Sequence, residues 1–246
     1  MGFPRRPRLC PCRRQQRGPA RIPRPCRLPL GGGLVHRRGL FRPARPLRRV
    51  LSVRAAALTV AVLALALAWV APLERWLGAF PAHMLGHMTL VAVAAPALVL
   101  AFPQGFARLG VPVLAGAVLE FLIVWGWHLP ALHGAARLAL PWHLAEQALF
   151  LAGGLAVWAG ALRAAEPLAG AGALLLTSMH MTLLGALLVL AGKDLYAEIC
   201  GTPPSLPGQQ LGGLLMLGIG TPIYLFGGLW LTASALRRPD SAEAGA

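Results

Sequence analysis

The sequence predicts an all-α membrane protein, a polytopic bundle of about six transmembrane helices. Of its 246 residues, 57% are hydrophobic and only 13% are charged, and that charged share is about half the usual share in soluble domains. Glycine and proline are frequent, at 29 and 22 residues, as is typical of transmembrane helices. Six apolar segments follow residue 54, and each is close to the length that crosses a bilayer as a helix.

The apolar segments define the predicted helices in chain order. They are expected at residues 55–71, 83–102, 111–127, 142–162, 168–191 and 210–236. Pro96 predicts a kink in the second helix, and residues 220–222 predict a break in the sixth. No internal repeat is evident, so an inverted-repeat transporter has no support. The sequence therefore predicts one six-helix transmembrane domain over residues 55–238, followed by a short C-terminal tail at 239–246.

The positive charge of the chain is concentrated at its N-terminus. Residues 1–54 hold 16 arginines and no acidic residue, whereas residues 55–246 hold 7 basic and 8 acidic residues. Because residues 1–54 are rich in arginine and proline, they are expected to form a disordered tail. Alternatively, translation begins near Val50 or Val53. Basic residues beside a membrane domain stay in the cytoplasm. We therefore expect both termini to be cytoplasmic, with the lipid bilayer and not nucleic acid as partner.

Candidate metal ligands cluster near the ends of helices that this orientation makes external. His83 and His87 are four residues apart, so they share one helix face. His180 lies well inside the fifth predicted helix, where an ionisable residue indicates a function. The methionines expected to assist as soft ligands are Met84, Met88, Met179 and Met181. Because imidazole and thioether both bind copper, the pattern predicts a Cu(I) site formed by His83, His87 and His180.

Other polar residues are expected to support this site. Glu120, His143 and Glu146 are predicted to orient the imidazoles by hydrogen bonding, whereas His128 and His133 are interpreted as structural or interfacial. Two alternatives stay open: a haem protein with two axial histidines, and a scaffold without a cofactor. Since no nucleophilic triad, phosphate-binding loop or zinc-protease helix is evident, we expect no enzymatic activity.

Several short stretches resemble motifs of one family, the CtaG-type assembly factors of caa3-type cytochrome c oxidase. Residues 83–88 are similar to its HMxxHM-type motif, and residues 127–132 to its WHLPALY stretch. Further similarities are found at residues 143–147, 179–186, 195–196 and 209–213. The motifs follow one another in the family's order between about residue 72 and residue 232. Together they are specific, although each alone is weak.

This resemblance implies an integral protein of the bacterial inner membrane that is needed to mature the oxidase. It implies assistance with copper insertion into the catalytic subunit, with the oxidase subunits and a copper donor protein as partners. Three residues depart from the family pattern: Gln147 replaces a usual histidine, Gly208 an aspartate and His133 a tyrosine. These departures argue against a second histidine site on the fourth helix, but they leave the predicted ligand set intact.

Overall fold

The computed structural model describes residues 45–197 and 205–237, and every regular element in these ranges is helical. The helices are α1 (Arg45–Trp69), α2 (Leu73–Leu77), α3 (Ala79–Met88), α4 (Ala95–Ala101), α5 (Pro103–Leu109), α6 (Val113–Trp127), α7 (Pro130–Leu138), α8 (Leu140–Leu162), α9 (Pro167–Leu190), α10 (Leu206–Leu215) and α11 (Thr221–Leu236). The predicted all-α fold is confirmed. Residues 1–44 of the predicted N-terminal tail at 1–54 lie outside the described residues, as does the predicted C-terminal tail at 239–246.

Five helical stretches of the described chain are long and apolar enough to cross a membrane. They are Val50–Trp69, Ala79–Ala101, Leu140–Leu162, Pro167–Leu190 and Leu206–Leu236. A sixth results if α5 and α6, which are bent by 93° at their junction, count as one span. The chain is therefore a multi-pass membrane protein with five to six spans, in agreement with the prediction.

The helix boundaries differ from the prediction where proline begins a helix. Between the third and fourth predicted helices lies α7, whose first residue is Pro130, and α8 begins at Leu140, with Pro141 as its second residue. Proline suits these positions because the first helical N–H groups have no partner within the helix. Helix α1 begins at Arg45, inside the predicted tail, and Pro46 is its second residue. Regular helix therefore extends beyond the apolar segments that revealed it.

The predicted kink and break both coincide with π-helical segments. Thr89–Ala94 joins α3 to α4 just before Pro96, and Met216–Gly220 joins α10 to α11 just before Pro222. Proline donates no hydrogen bond, and its ring crowds the carbonyl four residues earlier, so the helix widens locally. The first of these segments presents the carbonyl of Val91 to side chains of two other helices.

Glycines let α8 approach two neighbouring helices closely. A Cβ on Gly154 of α8 would lie 2.9 Å from the Cα of Val91, and a Cβ on Gly116 of α6 would lie 2.7 Å from the carbonyl oxygen of Ala156. Backbone contact at such distances requires residues without a side chain. Helix α8 is thereby held against both α6 and the span Ala79–Ala101, and this packing positions the polar residues described next.

Candidate metal centre

Two helices bring two histidines to one carboxylate near one end of the bundle. His83 and His87 lie on successive turns of α3, and Glu146 lies on the second turn of α8. Oε1 of Glu146 is 3.1 Å from Nε2 of His83, and its Oε2 is 3.5 Å from Nε2 of His87. One ligand atom from each residue lies within 4.8 Å of the other two, so the group can hold a metal ion.

The group is buried and its hydrogen bonding is incomplete. The side chains of His83, His87 and Glu146 are 2%, 1% and 0% exposed. Among the described residues, neither ring nitrogen of His87 has a hydrogen-bond partner, and nor does Oε2 of Glu146. In the part of the chain that the structure describes, the ionisable groups within ion-pair distance of this carboxylate are the histidines His83, His87 and His143. Because buried charges are paired or coordinate metals, Glu146 needs either a protonated imidazole or a cation.

The distances in this group suit a small metal ion. Two donor atoms that each lie about 2.1 Å from one ion, at a tetrahedral angle, are about 3.4 Å apart. The two imidazole nitrogens face different oxygens of Glu146, at 3.1 Å from Oε1 and 3.5 Å from Oε2, and both separations are close to that value. Imidazole is a ligand for copper, zinc and iron. His83, His87 and Glu146 therefore fit the ligand set of a metal without identifying which metal.

His128 extends the cluster at the end of α6. Its Nδ1–H donates to the carbonyl of Val124 at 2.6 Å, and this tautomer leaves Nε2 with a free electron pair 3.4 Å from the sulfur of Met84. The ring centroid is 6.0 Å from that of His87. Burial lowers the pKa of His128 to about 4, so the ring is neutral at neutral pH. A neutral imidazole and a thioether therefore lie beside the candidate ligands.

His133 of α7 completes the group of rings. Its centroid is 4.9 Å from that of His83, with the two rings perpendicular, and 4.5 Å from that of Tyr196. Burial, together with the neighbouring His83 and His128, lowers the pKa of His133 to about 2. His128 and His133, interpreted from the sequence as structural or interfacial, are thus both buried beside the candidate ligands. The signal that could have found this placement is their position in and beside the stretch at residues 127–132.

A hydrogen-bonded loop after α9 supports this cluster. The hydroxyl of Tyr196 donates to the carbonyl oxygen of His128 at 2.9 Å. Gln209 of α10 fixes the loop, because its Oε1 accepts from the N–H of Leu195 at 2.7 Å and its Nε2 donates to the carbonyl of Lys193 at 3.3 Å. The motif residues at 195–196 and 209 thus shape the wall of the site and lie outside the group of three candidate ligands.

The other predicted ligands lie elsewhere in the bundle. His180 is buried, its ring meets Phe121 edge to face at 5.3 Å, and neither ring nitrogen has a hydrogen-bond partner among the described residues. Met179 is 64% exposed, whereas Met88 and Met181 are buried in the apolar core. The structure thus brings together His83 and His87 and does not place His180 in the group that can hold a metal. Ligand roles for His180 and the methionines stay predictions.

Glu120 forms a separate buried network and does not approach the candidate ligands. Thr177 of α9 donates to its Oε2 at 3.0 Å, and the hydroxyl of Tyr224 of α11 contacts its Oε1. That hydroxyl also lies 3.1 Å from the carbonyl oxygen of Val91, which accepts from the indole N–H of Trp158 at 3.0 Å. Glu146, and not Glu120, thus faces the imidazoles of His83 and His87, and the Glu120 network instead joins five membrane segments.

The fold and this cluster define an integral membrane protein with a buried histidine and carboxylate site able to hold a metal. The chain belongs to the cytochrome c oxidase caa3 assembly factor family (Caa3_CtaG), whose model matches residues 34–238. The protein is therefore a membrane assembly factor for caa3 cytochrome c oxidase, and the resemblance noted in the sequence is confirmed. No significant match was found among curated proteins or solved structures.

Proposed function

We propose that this assembly factor binds copper at His83, His87 and Glu146 and assists its insertion into the catalytic subunit of the oxidase. The observation that carries the proposal is the state of Glu146. It is a fully buried carboxylate that faces two imidazoles, and one of its oxygens has no hydrogen-bond partner in the described chain. A cation bound there would satisfy the carboxylate and both histidines together.

Two observations favour copper as the bound metal: the family to which the chain belongs and the groups that surround the site. The oxidase that this family assembles requires copper, as the family resemblance implies. Met84 places a thioether next to Nε2 of His128, beside the ligand group, and thioether and imidazole together favour Cu(I). In this role the protein needs no catalytic group; His83 and His87 bind the ion, and Glu146 offsets its charge.

The haem alternative fits this cluster less well. Axial histidines must approach haem iron from opposite faces of the macrocycle. His83 and His87 lie side by side on one helix, with ring centroids 4.2 Å apart, and His87 is stacked on Phe150 at 3.7 Å. Rings in such close contact leave no room for a porphyrin between them.

The arginine-rich N-terminus supports an orientation with both termini in the cytoplasm of a bacterial cell. Residues 1–54 hold 16 arginines, and such residues stay on the cytoplasmic side. With six spans, the ends of α3, α6 and α8 that carry the histidines then face the external side. Copper brought by a donor protein would reach the site from there, and the oxidase subunits would meet the protein within the bilayer.

Oxidase assembly in cells tests this function. A strain in which His83→Ala and His87→Ala replace the native residues is compared with one carrying Leu183→Ala, a control at an exposed apolar position of α9. Membrane levels of each variant are matched by immunoblot, and the copper content of the purified oxidase is measured. We expect copper-deficient oxidase with the double variant and normal oxidase with the control. Normal copper content with the double variant would contradict the proposal.

A further inference from the structure

His143 stands between the buried site and the surface. It lies one helical turn before Glu146 on α8, and its Nδ1 is 3.8 Å from Oε2 of that carboxylate. Its side chain is 40% exposed, whereas those of His83 and His87 are almost completely buried. Oε2 of Glu146 is thus within 4 Å of one exposed and one buried imidazole nitrogen. The side chains of His143, Glu146 and His87 therefore form a continuous row of possible ligand atoms from the surface to the interior.

A cavity reaches this row from the polar end of the bundle. It has a volume of about 380 Å³, and its lining includes His143, His83 and Gln147. Charged groups also line it, among them Glu74 and Arg137, which form an ion pair with a distance of 2.9 Å. Charged side chains of this kind belong at the aqueous boundary of a membrane protein. A hydrated ion in the cavity would therefore contact the exposed His143, and of the three candidate ligands the lining includes His83 but neither His87 nor Glu146.

A second cavity offers a poorer entrance. It has a volume of about 320 Å³ and also touches His83, but its other histidine, His133, is buried. Its carboxylate, Asp194, already accepts hydrogen bonds from the backbone N–H groups of Tyr196 and Ser205. Among the histidines lining the two cavities, His143 therefore combines exposure with a direct approach to the metal group.

We infer that His143 is the entry ligand of the site, which takes copper in the 380 Å³ cavity and passes it to Glu146 and His87. This inference rests on the proposed function. The bond from the ion to Nδ1 of His143 breaks as bonds to Oε2 of Glu146 and Nε2 of His87 form. The oxidation state of the ion does not change, so the transfer needs no oxidant or reductant. His143 then governs the rate of loading and not the amount of metal finally bound.

Copper transfer from a coloured Cu(I) chelate to the full-length protein in detergent tests the inference. Absorbance decay gives the loading rate, and elemental analysis gives the final copper content. The variants are His143→Ala, His143→Met, which restores a soft donor, and the neighbouring control Leu144→Ala, at an exposed apolar position. Thermal unfolding of each variant establishes that it is folded.

We expect His143→Ala to reach the copper content of the unsubstituted protein at a rate lower by about tenfold or more, the scale on which groups next to metal ligands act. His143→Met and Leu144→Ala should load at nearly the original rate. An unchanged rate for His143→Ala, or a lower final content, would overturn the entry role while the proposed function stands. No copper uptake by the unsubstituted protein would instead overturn the proposed function and the entry role with it.

Discussion

Two buried glutamates of this protein occupy opposite kinds of environment. Glu120 accepts a hydrogen bond from Thr177 and contacts the hydroxyl of Tyr224, so each of its oxygens has a hydroxyl partner. Glu146 faces the nitrogens of His83 and His87, and its Oε2 has no hydrogen-bond partner among the described residues. Both carboxyl groups are buried in membrane-spanning helices. Burial alone therefore does not distinguish a structural carboxyl group from a metal ligand.

The chemical nature of the groups around each carboxylate distinguishes Glu120 from Glu146. Hydroxyl and carbonyl groups carry no net charge, and they satisfy a neutral carboxylic acid as well as they satisfy an amide. In the Glu120 network, an acid proton donated to Tyr224 would let that hydroxyl donate in turn to the carbonyl of Val91. Imidazole nitrogens instead supply electron pairs, which need a proton or a metal between them and the carboxylate. The first region is therefore a satisfied hydrogen-bond network, and the second is the group that could hold a metal ion.

Exchange of each carboxylate for its amide should separate the two regions most strongly. Glu146→Gln removes the charge that the metal requires, and we expect copper affinity to fall by about 10–100-fold. Glu120→Gln keeps the oxygen that accepts from Thr177 and adds a donor, so affinity should not change. Competition with a Cu(I) chelator measures both values. Equal losses of affinity in the two variants would remove the distinction between the regions.

Loss of a hydroxyl from the Glu120 network should affect stability and not metal binding. Tyr224→Phe removes a hydroxyl that contacts both Glu120 and Val91, and we expect the free energy of unfolding to fall by about 1–2 kcal/mol. Thr232→Val is the control, because the hydroxyl of Thr232 bonds only within α11, to Gly228. Denaturant unfolding in detergent measures the difference. Loss of copper in Tyr224→Phe would show that the two regions are coupled.

His180 tests where the metal region ends. Its ring contacts Phe121, and it is not part of the group whose ligand atoms lie within 4.8 Å of one another. We therefore expect His180→Ala to bind as much copper as the unsubstituted protein, with His87→Ala as the depleted reference. Copper loss in both variants would instead support the ligand set predicted from the sequence, with His180 as the third ligand.

The sequence predicts the fold better than the site because the two depend on different information. Helix number follows from the length and hydropathy of each segment, which are local properties. The spacing of His83 and His87 is also local, and it correctly predicts one shared face. The burial of His128 and His133 depends on how α7 and the loop carrying Tyr196 fold over the helix ends, which is a tertiary property. Likewise, the rotation of α9 decides whether His180 faces the site, and its residue pattern does not reveal that rotation.

The most direct test of the metal site is the copper content of the purified protein after anaerobic loading with Cu(I). The unsubstituted chain is compared with the His83→Ala, His87→Ala double variant, both shown to be folded by thermal unfolding. We expect close to one copper ion per chain in the unsubstituted protein and almost none in the double variant. Equal copper in both samples, or none in either, would contradict a metal site at His83, His87 and Glu146.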